Sequence, residues 1–133
     1  MNSTIRLGLV ILLVAVVGGA ASSAQTPRLN KVMRDKLTHS QYILEAVVTS
    51  NWQLLDRHSR ELAQASHDPA WSALRMPHFV RYGDAFLRAT DDLIAAAQLR
   101  DLEAASLGFV SLTTSCVSCH RYMTRARTVT TRP

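Results

Sequence analysis

The sequence predicts an all-α chain folded as an antiparallel four-helix bundle, and three observations carry that expectation. Apolar residues recur at three- and four-residue steps in four separate stretches, the spacing that lines one face of a helix. Outside the apolar N-terminal run there is no stretch of alternating apolar and polar residues that would build a strand. The stretches are separated mostly by short polar links carrying helix-capping residues, so consecutive helices are expected to fold back on one another.

Thr26-Pro27 is the expected start of the first helix, with Thr as N-cap and Pro at a position whose N–H has no helical partner. Its stripe is Leu29, Val32, Met33, Leu37, Ser40, Ile43, Leu44, Val47 and Val48, ending near Thr49. Ser50 or Asn51 then reads as a turn and new N-cap. Trp52, Leu54, Leu55, Leu62, Ala63 and Ala65 mark a second helix to about Ser66. It stops at His67-Asp68-Pro69, because Pro cannot continue a helix and disfavours α geometry at Asp68. Residues 67–77 form the longest link, with Trp71, Leu74 and Met76 expected to cover one end of the core. Pro77 suits the first turn of a third helix, striped by Phe79, Tyr82, Phe86, Ala89, Leu93, Ala96 and Ala97 through Leu99. Asp101 is the expected N-cap of a fourth helix, striped by Leu102, Ala105, Phe109, Leu112, Cys116 and Cys119. The tail from Thr124 to Pro133 is expected to fray.

Residues 1–24 are organised differently. One basic residue, Arg6, precedes the unbroken apolar run Leu7 to Val17, then Gly18-Gly19 and the small residues Ala20 to Ala24. That order reads as a secretory signal peptide, because its apolar core is shorter than the roughly 20 residues of a membrane-spanning helix; an uncleaved N-terminal anchor is the alternative. Cleavage after Ala24 would leave residues 25–133 as one domain beginning at Gln25, a soluble product without stable membrane insertion. Losing Arg6 leaves 14 basic against 10 acidic side chains. That is an ordinary solubility charge, and no Lys/Arg cluster interleaved with aromatics points to nucleic acid.

The chemistry concentrates in Cys116-Val117-Ser118-Cys119-His120. A Cys-x-x-Cys-His string is an attachment pattern for haem c, in which two thiols add across the haem vinyl groups and the adjacent imidazole binds iron. On a helix the two cysteines lie about 60° apart with the histidine close by, so all three face one side. A thioredoxin-like pair needs a βαβ context that is missing here, and a zinc site needs a second Cys pair that the two-cysteine sequence does not hold. Both cysteines being spoken for, no structural disulfide is expected. Export agrees with the motif, because haem is attached to such proteins outside the bacterial cytoplasm.

With this motif on the last helix of a four-helix bundle, residues 25–133 resemble the class II c-type cytochromes, the cytochrome c-prime family. Class I cytochromes c carry the motif near the N-terminus. The resemblance implies one covalent haem c with His120 as axial ligand. It implies a sixth iron position that is either vacant beneath a bulky apolar residue or filled by a Met of the first helix. It also implies packing through the first two helices in a homodimer. The remaining imidazoles and thioethers are Met33, His39, His58, His67, Met76, His78 and Met123. Met123 follows His120 by one turn, on the wrong side of the macrocycle. His67, Met76 and His78 sit in or beside the long link, and His58 lies in a polar run, Asp56 to Arg60, expected to be solvated. Met33 and His39 are about 120° apart on the first helix, so both cannot face the haem. Met33 belongs to the apolar stripe, where a Met is commonly core filler; the resemblance places a ligand there, in the low-spin branch.

The expected function is therefore a periplasmic monohaem electron carrier with His120 and Met33 on the iron, exchanging electrons with a donor and an acceptor redox protein. The alternative is a five-coordinate cytochrome c-prime that binds nitric oxide or carbon monoxide. No nucleophile–base pair or carboxylate dyad at catalytic spacing marks the chain as an enzyme.

Overall fold

The computed structural model describes residues 20–72 and 77–130, and they are all-helical. The elements are α1 (Ala20–Val48), α2 (Trp52–Ala65), the single turn α3 (Pro69–Ser72), α4 (Pro77–Leu99) and α5 (Leu102–Thr130). α2 packs on α1 and on α4, and α4 packs on α5, whereas α1 touches α5 more sparsely. Residues 1–19, which hold most of the expected leader, and Leu74 and Met76 of the long link lie outside the described residues.

Two corners set the arrangement, and they use the same chemistry. Ser50 takes a left-handed backbone (φ 53°), Asn51 N–H donates to the Ala46 carbonyl (2.8 Å) and Ser50 N–H to that of Val47 (3.2 Å). Arg100 repeats the φ of 53°, with Asp101 N–H on Ala96 (3.0 Å) and Arg100 N–H on Ala97 (3.3 Å). Each is a Schellman closure. In each, the residue after the left-handed one also caps the next helix. Asn51 Oδ1 accepts from Leu54 N–H (3.1 Å), and Asp101 Oδ1 accepts from Ala104 N–H (3.0 Å).

The helix ends depart from the sequence reading in three places. α1 is already helical at Ala20, the first described residue, ahead of the expected start at Thr26, and Pro27 sits within it. Alanine is the best helix former, so the small-residue stretch can extend the helix across a proline that forfeits one bond. Pro69 does more than stop α2. It occupies the first position of α3, where Asp68 Oδ1 accepts from Ala70 N–H at 2.7 Å. α5 continues to Thr130, since residues 121–130 contain neither Gly nor Pro to end it.

The core is drawn from Ile43, Ala46, Val47, Leu55, Leu62, Phe86, Ala89, Leu93, Ala96, Ala97, Ala105 and Leu112. Small residues let α4 and α5 approach closely: a Cβ on Gly108 would meet Leu93 Cγ and Cδ2 at 3.1 Å. Leu37, Leu44 and Val48 of the expected α1 stripe are exposed instead, and Lys36 is buried in that stripe. Leu107, Val110 and Val117 stand exposed along α5. Among the described residues, Leu102–Ala126 is the helix long and apolar enough to cross a membrane (mean hydropathy 1.3), although it also contributes Ala105 and Leu112 to the core.

Candidate functional site

α5 presents both cysteines as free thiols one turn apart. Cys119 is buried and Cys116 half-buried against the core cluster. His120, a further 100° round the helix from Cys119, is exposed and borders a shallow surface depression with Val117, Arg121 and Thr124. Burial pushes both thiols above the usual cysteine range, opposed in each case by the positive charge of Lys36. At neutral pH they are therefore held as neutral thiols.

Lys36 is the residue that sequence reasoning missed. It is 6% exposed, and its Nζ donates to Ser66 Oγ (3.0 Å) while lying 3.4 Å from the Trp71 ring centroid and 4.1 Å from that of Phe86. Burial lowers its pKa to about 8, against the pull of the two cysteines. The signal was its spacing: four residues after Val32 and seven before Ile43, it falls within the buried stripe. Aromatic rings gather along the same stretch of the bundle. Trp71 meets Phe79 with centroids 4.5 Å apart, and Tyr122, two residues beyond His120, meets His78 at 5.1 Å and Tyr82 at 5.7 Å.

Met33, the expected second ligand, and the candidates weighed against it are scattered along the chain. Met33 is half-buried, one turn before Lys36 on α1. His39, its rival, turns toward α2, where its Nδ1 lies 3.0 Å from His58 Nδ1 and 3.2 Å from Glu61 Oε2. His58 is correspondingly not solvated: its side chain is 12% exposed and stacks on Tyr42 at 4.5 Å. The reason is rotational, since position 58 lies three residues after buried Leu55 and four before buried Leu62, on the flank facing α1. His67 and His78 are exposed and Met123 is half-buried.

The residue types fit covalent haem attachment, with two free thiols one turn apart and an imidazole at the next position, but the three do not share one environment as the sequence led us to expect: Cys119 is buried, whereas His120 is exposed. No protein-family model matches this chain, and no curated protein or solved structure matches it either.

Proposed function

We propose that this chain is an exported monohaem c-type cytochrome of the four-helix class II kind, acting as a periplasmic electron carrier. The observation that carries the reading is Cys116-Val117-Ser118-Cys119-His120, with both thiols free on one side of α5. Haem c, when bound, supplies an iron that passes between ferrous and ferric states. Cys116 and Cys119 would hold the group through thioethers, and His120 would supply an imidazole nitrogen to its iron. Met33 would offer a second iron ligand, a thioether that raises the reduction potential. Trp71, Phe79 and Phe86 would exclude water from the apolar side. A donor and an acceptor redox protein are the partners this chemistry needs, in weak and transient encounters.

The rival within the family is a five-coordinate haem protein that binds nitric oxide or carbon monoxide, with Met33 as a lid. Two measurements on the exported protein separate the readings. Haem staining after denaturing electrophoresis should follow the chain, because only covalent haem survives. The reduced spectrum should not change under carbon monoxide. A chain without stain sinks the cytochrome reading, and a stained chain that takes up carbon monoxide supports the rival.

A further inference from the structure

His39, His58 and Glu61 lie apart from the cysteine motif and the proposed haem chemistry makes no use of them. Their nearest atoms form a small triangle: His39 Nδ1 to His58 Nδ1 is 3.0 Å, His58 Nδ1 to Glu61 Oε2 is 3.0 Å, and His39 Nδ1 to the same oxygen is 3.2 Å. Hydrogen bonds cannot satisfy this triangle. A neutral imidazole Nδ1 either donates or accepts, and an ionised carboxylate only accepts. If one nitrogen carries the single proton between them, the other nitrogen turns its lone pair toward the oxygen. If both carry protons, the two N–H groups oppose each other. One cation seated just above the triangle serves all three short contacts.

The dimensions match coordination. An ion about 2.1 Å from each atom would sit about 1 Å above the plane of such a triangle, and edges of 3.0–3.2 Å lie between the roughly 3.0 Å of an octahedral and the roughly 3.4 Å of a tetrahedral ligand set. The ligands are also held in place. His58 and Glu61 share one face of α2 at i and i+3, Tyr42 of α1 stacks on the His58 ring at 4.5 Å, and His39 reaches across from α1. We propose that His39, His58 and Glu61 form a coordination site for a divalent first-row transition ion of the zinc type, clamping α1 to α2. Two imidazoles and one carboxylate select such ions over calcium or magnesium, which take all-oxygen sets. Three protein ligands leave positions open. These face a depression walled by Asp35, Glu61, Gln64 and Asp68, in which Asp35 and Asp68 are each paired with a cation, Lys31 and Arg28.

Titration of the full-length protein with Zn²⁺ alone, against a chromophoric chelator, tests the site. One equivalent should bind, and it should raise the unfolding temperature. Glu61→Gln, at an exposed position, should keep the fold by circular dichroism, weaken Zn²⁺ binding at least tenfold and abolish the thermal shift. His58→Gln should weaken binding likewise, and His67→Gln, in the same depression but outside the triangle, should change it less than twofold. The proposal is overturned if Zn²⁺ binding does not saturate, or if Glu61→Gln and His58→Gln both bind as wild type does. It is overturned too if binding disappears only with Cys116→Ala/Cys119→Ala, which would put the ion on the thiols. None of these outcomes depends on haem being attached.

Discussion

The Lys36 ammonium lies 3.4 Å from the centroid of the Trp71 ring, buried within the bundle on the side that the two cysteines face. Its pKa of about 8 lies below the ordinary 10.5, chiefly because burial penalises the charged form. Below pH 8 both the folded and unfolded states hold the proton; between 8 and 10.5 only the unfolded state does. Unfolding then takes up a proton at Lys36, so this residue's contribution to stability rises with pH across that window, by at most about 3 kcal/mol, while the buried thiols, which keep their protons longer in the folded state, oppose it above pH 9. Urea unfolding of the Cys116→Ala/Cys119→Ala protein, in which no thiol titrates, should show this rise, and adding Lys36→Met should flatten it. An equally steep rise in the variant would place the titrating group elsewhere.

Arg100 and Ser50 occupy left-handed backbone that glycine adopts without strain. Arg100→Gly should stabilise the chain by about 1 kcal/mol, the native strain removed exceeding the entropy gained by the unfolded chain. A lowered melting temperature would show that the arginine side chain contributes more than its backbone costs.

If Cys116 and Cys119 each form one thioether, Cys116→Ala/Cys119→Ala should yield exported protein with no haem stain after denaturation. Either single substitution should sharply lower the stained yield. Covalent haem in the double variant would contradict the attachment reading.

Met33→Leu keeps volume and apolarity, so packing should cost less than about 1.5 kcal/mol. Should Met33 ligate the iron, the variant becomes high-spin, binds carbon monoxide readily and falls in reduction potential. An unchanged low-spin spectrum would rule Met33 out. His39, already engaged by His58 and Glu61, would then have to leave that triangle to replace it.

Intact mass of protein from the native host should begin at or near Gln25. Retention of residues 1–24 in a membrane fraction would give an anchored carrier in place of a soluble one.

What was legible in the sequence was local. Asn51 and Asp101 as N-caps, and Pro77 as a helix start, follow from side chains acting on backbone within a few residues. The all-helical class followed from apolar spacing. Rotation of each helix about its axis was harder to read, because it depends on partners distant in sequence. Leu37 and Lys36 adjoin, and only the packing of α2, Trp71 and Phe86 on α1 decides that the lysine goes inside. The His39–His58–Glu61 triangle was hidden for the same reason, since it exists only where α1 crosses α2.

The two Schellman corners bear on the order in which the chain assembles. Each closes through hydrogen bonds between residues three to five apart, and each joins helices that then pack on one another. Pairing of α1 with α2, and of α4 with α5, thus rests on contacts near in sequence, the kind that form early and fast. The α2–α4 interface and the sparse α1–α5 contact span longer loops and come later. In that interval α4 and α5 stand together while Lys36 and the rest of α1 have yet to cover Cys116 and Cys119. If the chain is exported and carries haem as proposed, an attachment enzyme would meet the two thiols while they are still uncovered.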